Sequence, residues 1–426
     1  MIRKRRVCYQ IMALVLVLAL IVPILAACGS DNKKETTTPA ATMPPKTTPA
    51  ATTPNPTVSN EPVKIGFMCD WSGPGAMAGW LADGTIAFAE WYWNQKQGGI
   101  QVGDVRRPVK FIKYDNKSQV ALASAVTKKA VLDGCVAVVG GGVVDQFAYP
   151  IADVTDPATM LYVTYHSASQ IFTDYKYTVG SFYDGDARNA NVADLIVNKL
   201  KAKTVGILAA DQESTRQNMQ LIKDLIKPLD PEVKFVYEQY HAADVTDFSP
   251  YLTRIKYNKP DVLLMESTLD AFSAIAKQMM GLGGWGKIQL VSRQEAAQFP
   301  DIENAPGANG WIIPIMWLPD TGTTAQIAFG KDWAEKCSSD PGWCKQYSPT
   351  GSVPLPNYAV MYNPILTAIK AIELAGTDDR AQVAKAARSG KLEFDSTEGY
   401  LKIGTDGKTN LRGFWAQVKD GKIMPY

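Results

Sequence analysis

Histidine is nearly missing from this chain. Only His166 and His241 occur in 426 residues, and neither stands at metal-ligand spacing with cysteines or carboxylates, so no metal site is expected. The same scarcity leaves any Ser–His–Asp arrangement dependent on one of these two rings, and His241 reads as part of a polar loop. Phosphate-cradling and nucleophile-elbow motifs are missing as well. The nearest approach, Gly281 to Gly286-Lys287, ends in Ile288 and follows a helical pattern rather than a strand. The Gly-rich stretch 140–142 lacks the dinucleotide fingerprint. No enzymatic activity and no cofactor are expected.

Long apolar runs are scarce too. The one near the start, Ile11 to Leu25, is shorter than the roughly 20 residues a spanning helix needs. Positive charge forms no stripe. The 44 Lys+Arg against 42 Asp+Glu give +2, but four of the basic residues (Arg3, Lys4, Arg5, Arg6) precede that run. Without residues 1–27 the 44 become 40 against 42 and the net charge is −2, which argues against nucleic acid as a partner. Basic patch, apolar run and small residues together make a secretory signal peptide over 1–27. Leu25-Ala26-Ala27-Cys28 resembles a bacterial lipobox, which implies a diacylglycerol thioether on Cys28; an uncleaved anchor is the other reading. The protein is expected outside the cytoplasm, lipid-anchored to the outer face of the cell membrane or periplasmic, and in contact with the membrane through its lipid.

Cysteine is sparse, and its positions sort it. Cys8 leaves with the signal peptide. Cys337 and Cys344 flank the turn-rich Ser-Ser-Asp-Pro-Gly-Trp, so a local disulfide is expected in an oxidising compartment. Cys69 ends one apolar strand and Cys135 precedes another, as two small buried side chains. Residues 28–61 are mostly Thr, Pro, Ala and Lys, too poor in large apolar residues to fold, and read as a disordered tether.

From Val63 the pattern becomes regular. Short β-rich runs (Val63–Cys69, Val109–Tyr114, Val136–Gly140, Met160–Thr164, Thr204–Ala209, Val233–Tyr240, Val262–Glu266, Ile288–Ser292) alternate with helix-length amphipathic segments. These segments are Ala76–Gln97, Gln119–Asp133, Asp145–Val154, Asp186–Leu200, Glu213–Leu229, Phe248–Tyr257 and Thr268–Gly281. Such alternation predicts βαβ units and parallel sheets covered on both faces. Eight strands in two runs of four, parted near Val179–Gly185, predict an α/β protein of two doubly wound lobes. The last third offers Trp311–Trp317, helices Thr324–Cys337 and Asn357–Ala375, and a β-rich tail that returns to complete the lobes.

Six ordered pieces then carry a resemblance across 62–426: VKIGFMCDWSGPGAMAGWLADGTIAFAEW, FIKYDNKSQVALASAVTKKAV, AVVGGGVVDQFAYPIAD, VTYHSAS, LPNYAVMYNPILTAIKAIELAG and FDSTEGYLKIGTDGKTNLRGFWAQVKDGKI. The chain resembles the type 1 periplasmic binding proteins, in particular the leucine/isoleucine/valine-binding lipoproteins of ABC importers. That resemblance implies lobes of 62–181 plus 313–412 and 182–312 plus 413–426, with crossings near Val179–Phe182, Asn309–Pro314 and Leu411–Trp415. It also implies hinge closure on a small polar ligand, an amino acid or related metabolite, which membrane permease subunits then receive. A ligand-sensing receptor of the same fold is the alternative.

Ligands of open α/β sheets sit off the carboxyl ends of strands. There the chain offers Trp71 and Ser72, in a glycine-rich loop where Ser72 is otherwise a capping residue. Asp145 and Gln146 stand near the position where the family uses a serine for a carboxylate, and Asp145 is otherwise a helix N-cap. Ser167 and Ser169 match a loop that ends in Ala-Thr in the family, with Ser169 otherwise an N-cap. In the second lobe the family's aromatic contact is replaced by Asp211-Gln212-Glu213-Ser214-Thr215. Glu266 stands where a tyrosine is common, and Glu295 falls where amino-acid binders keep a carboxylate for the ammonium, or else pairs with Arg293.

Overall fold

Seven residues show how the sheets are built. In β2 (Val63–Cys69), Val63, Ile65, Phe67 and Cys69 pack into one apolar cluster with Phe88, Trp317 and Trp333. Met68 turns the other way, into a cluster with Tyr114, Val138 and Phe147. A strand buried on both faces belongs to a parallel sheet covered by helices on each side. The computed structural model describes residues 57–142, 145–166, 169–242, 244–283, 285–294 and 305–426. The expected signal peptide, most of the tether, Cys28, Ser167 and Glu295 therefore lie outside the described residues.

The first sheet has the order β5-β2-β6-β7-β8, with β5 Val109–Asp115, β6 Ala137–Gly140, β7 Leu161–Thr164 and β8 Thr178–Gly180. Its pairings are parallel. The fifth strand, β8, occupies residues expected to be a connecting loop. A three-stranded sheet of β1 (Thr57–Val58), β3 (Ile100–Val102) and β4 (Val105–Arg107) was likewise not anticipated.

The second sheet has the order β10-β9-β11-β12-β13-β16-β17. Strands β9 (Thr204–Ala210), β10 (Lys234–His241), β11 (Val262–Glu266), β12 (Gln289–Ser292) and β13 (Ile312–Ile315) run parallel. The hairpin β14 (Glu393–Ser396) and β15 (Gly399–Lys402) stands apart. Strands β16 (Phe414–Lys419) and β17 (Lys422–Pro425) then add antiparallel to β13.

Helix spacing obeys the same burial logic. Helix α6 (Glu213–Leu229) buries Thr215, Met219, Ile222 and Ile226, a single inward stripe, and turns its charged residues outward. The other helices that frame the site are α1 (Ala76–Glu90), α2 (Val120–Leu132), α3 (Ala148–Thr155), α4 (Ile171–Asp174), α5 (Gly185–Asp194), α7 (Ser249–Asn258) and α8 (Leu269–Leu282). Helix α1 continues into a wider π turn, Trp91–Lys96, closed by Gln97 N–H on Tyr92 O at 2.9 Å.

The chain passes between the sheets three times. The first passage follows β8. The second follows Ile315, since β13 belongs to the second sheet and Met316 and Trp317 already pack in the first lobe's core. This corrects the expected crossing at Asn309–Pro314 and moves residues 313–315 to the second lobe. Phe182 and Tyr183 also join the first core rather than the second. The third passage lies between Leu411, in the first core, and β16. Asp184 steadies the first passage: it accepts the Ala187 N–H at 2.8 Å as the N-cap of α5 and meets Lys408 Nζ at 3.1 Å.

Cys337 and Cys344 form a disulfide that joins the helix Thr324–Ser339 to the short helix Pro341–Tyr347. The turn between them is tighter than its sequence suggested, because Asp340 caps the second helix by accepting the Trp343 N–H at 3.0 Å. Cys69 and Cys135 are buried and free, and burial pushes the Cys69 thiol up to about 12.

Candidate functional site

The carboxyl ends of β2, β6 and β7 form one wall, and those of β9, β10, β11 and β12 the other. Asp115, the last residue of β5, organises the first. It accepts from Trp71 N–H at 3.0 Å, from Ser72 Oγ at 2.6 Å and from Lys117 N–H at 2.8 Å. Burial alone would raise its pKa, but these donors outweigh it and hold the carboxyl below the usual range. The Ser72 hydroxyl is thus committed to Asp115 and does not cap α1, whose N-cap is Gly75. Trp71 is half-buried, with Nε1 on Asp83 Oδ1 at 2.6 Å and Lys113 Nζ 5.8 Å from its ring. Its indole is a fixed plate at the mouth of the wall.

Gly140, Gly141 and Gly142 run behind it with positive φ throughout. Their carbonyls are each taken: Tyr162 OH donates to Gly140 O at 3.0 Å, Asn116 Nδ2 to Gly141 O at 3.0 Å, and Tyr165 OH to Gly142 O at 3.1 Å. At Gly142 a Cβ would lie 2.7 Å from Asp70 Oδ1 and 2.7 Å from Phe147 Cδ2, so glycine is required by the protein's own packing. Asp145 opens a tight 3-10 turn and meets His166 Nδ1 at 3.2 Å. It does not cap α3, where Phe147 stands at the N-cap; its carboxylate instead fixes the buried His166 ring with the proton on Nδ1. Gln146 is exposed beside it, and Ser169 is half-buried in the turn before α4, whose N-cap is Gln170.

The second wall centres on Glu266, the last residue of β11 and 4% exposed. Its Oε1 accepts from Arg293 Nη1 at 2.9 Å and Asn218 Nδ2 at 3.2 Å. Arg293 Nε in turn donates to Asn189 Oδ1 at 2.7 Å. Arg188 lies over the Tyr183 ring at 4.6 Å and adds a second positive charge toward Glu266. Burial nevertheless raises the Glu266 pKa, ahead of the opposing pull of Arg293, Arg188 and Asn218. Arg293 is thus paired with Glu266 among the described residues.

His241 ends β10 and is buried, not in a polar loop as its sequence suggested. Its Nδ1 meets Ala242 O at 2.9 Å and its Nε2 meets Ser267 Oγ at 2.8 Å. With a backbone carbonyl in the third place, the pair joins two strand ends. Asp211 pairs with Arg216, which stacks on Tyr240 at 3.9 Å.

Asp115, Asn116, Tyr162, Arg188, Asn189 and Asn218 are among the members of these walls that escaped the sequence. A signal existed for two of them, since Arg188 and Asn189 interrupt the buried stripe that Val192 and Ala193 continue on α5. Among the described residues no cluster of His, Cys, Asp and Glu could hold a metal, and no helix is long and apolar enough to cross a membrane. The two walls offer fixed donors, acceptors and an aromatic plate, the equipment of recognition.

A family model described as periplasmic binding protein matches residues 62–422. Similar solved structures include an ABC transporter substrate-binding protein from Sphaerobacter thermophilus, 19% identical with a TM-score of 0.71, covering 86% of this chain and 96% of that one. The substrate-binding protein LivJ of Streptococcus pneumoniae in complex with isoleucine is 18% identical with a TM-score of 0.70, covering 85% and 98%. A solute-binding protein of an R. palustris ABC transporter in complex with 4-hydroxybenzoate is 18% identical with a TM-score of 0.69, covering 86% and 96%. No curated protein sequence matches the chain.

Proposed function

The chain belongs to the periplasmic binding protein family, and from that premise we propose that it is the extracytoplasmic substrate-binding component of an ABC importer. It captures a small polar acid by closing two lobes around it and hands it to permease subunits in the membrane. One observation carries this reading: the passage after β8 leaves the carboxyl end of the first sheet and brings Arg188 toward Glu266 at the carboxyl end of the second. A hinge passage thus runs from the carboxyl end of the first sheet straight into the helix that serves the carboxyl end of the second, the kind of segment about which two lobes close. Trp71, Asp145, Gln146, Ser167 and Ser169 contact the ligand from the first lobe, and Glu266 and Glu295 from the second. The ligand is an amino acid, as isoleucine is for the S. pneumoniae protein, or an aromatic acid, as 4-hydroxybenzoate is for the R. palustris one.

A ligand that bridges two lobes binds the closed state preferentially and shifts the population toward it. Small-angle scattering of protein stripped of bound solutes is expected to show a smaller radius of gyration once a binding acid is added. Tight binding with an unchanged radius would remove the capture mechanism.

A further inference from the structure

Glu266 uses its two carboxylate oxygens unequally. Oε1 serves both Arg293 and Asn218. Oε2 has no hydrogen-bond partner among the described residues, although Glu266 is 4% exposed. A buried carboxylate oxygen left unpaired is costly, so in a native fold such an atom asks for a donor that the described residues do not provide. This one ends a parallel strand at the carboxyl side of the sheet, where ligands are received.

The surroundings say which donor fits. The carboxylate's charge is already met by Arg293 at 2.9 Å, itself held by Asn189, and by the nearby Arg188. An ammonium group brought to Oε2 would be a further cation beside two guanidiniums at low dielectric, where like charges repel strongly. A hydroxyl or an amide N–H would occupy the same oxygen with no new charge. Resting on the capture function proposed above, we infer that Glu266 Oε2 receives an uncharged donor of the ligand. The preferred substrates are then hydroxylated or amide-bearing acids, and plain amino acids are secondary.

Two ligand series measured by titration calorimetry on the stripped full chain decide this. The first is benzoate, 4-fluorobenzoate, 4-hydroxybenzoate and 4-(aminomethyl)benzoate; the second is isoleucine, its 2-hydroxy analogue and its deaminated analogue. In the series that binds, the hydroxyl member is expected to lead both its non-donor and its ammonium relatives by about tenfold or more. That lead is expected to shrink at least about threefold in Glu266→Gln, provided its melting curve shows a folded protein. Equal affinity for hydroxyl and fluoro members would mean that Oε2 is served by water and would overturn the inference. A lead for the ammonium member would overturn it too, and would transfer the charge recognition to another acid such as Glu295. An undiminished hydroxyl lead in folded Glu266→Gln would place the donor elsewhere. Binding in neither series would remove the small-acid reading itself. If Glu266→Gln does not fold, the wild-type ranking alone decides between a hydroxyl donor and an ammonium.

Discussion

Single residues set the first wall, and Asp115 does most of it. Four donors, the N–H groups of Trp71, Ser72 and Lys117 and the Ser72 hydroxyl, converge on one carboxylate, so its loss should be felt at Trp71 before anywhere else. Asp115→Asn removes the charge and one acceptor. It is expected to lower stability by roughly 1–2 kcal/mol after allowance for solvent, read by urea melts, and to loosen Trp71, read by its fluorescence. The folded pKa is depressed, so this contribution is present above the usual carboxylate pKa and fades as pH falls through the lowered folded value. Wild type and Asp115→Asn should therefore converge in stability in strong acid; a constant gap across pH would refute the role. The strand ends that carry Trp71, Ser72, Asp145 and Glu266 were legible in the sequence; that these side chains touch a ligand is a proposal. Their partners were not legible, since the bond from Arg293 to Asn189 spans 104 positions and no local pattern reports such a distance.

Elements were legible in proportion to their length. The eight strands read from alternation and apolar runs stand within one or two residues of the observed ones, and α6 matches at both ends. The missed strands β1, β3, β4 and β8 have two or three residues each, too few for a period of two to declare itself. The disulfide works at this scale. It closes a loop of sequence separation 7, for which chain entropy predicts roughly 2–3 kcal/mol. Replacing both cysteines by alanine should lower the melting temperature by several degrees while ligand affinity stays within about twofold, because the staple lies in the helical excursion of the first lobe. A large loss of affinity would mean that the excursion shapes the cleft.

For the whole molecule, two-lobe architecture was legible from strand–helix alternation, whereas the boundaries were not. Ile312–Ile315 reads equally well as the last strand of one lobe or the first of the other until its neighbours β12 and β16 are seen. How the molecule is held near its permease depends on Cys28, which we propose carries a diacylglyceryl group. Two acyl chains at roughly 0.8 kcal/mol per buried CH₂ hold a domain at a bilayer essentially permanently. Intact-mass measurement of detergent-extracted protein should find the lipid on Cys28, and Cys28→Ala should accumulate uncleaved precursor. Normal maturation of that variant, with wild type free of lipid, would end the proposal.

The threefold passage of the chain has a consequence for its assembly. The first lobe's core needs the segment from Met316 to Leu411, and the second sheet gains its last two strands only from Phe414 onward. Neither half can finish from a contiguous stretch, and the pairing of β13 with β16 joins residues about a hundred positions apart. Topology of this kind slows folding, because distant partners must meet before either is rewarded. Until the final residues arrive, β13 stands as an open edge ready to pair with another chain. Errors of synthesis near the C-terminus should therefore show as aggregation of the whole protein rather than as a trimmed but working one.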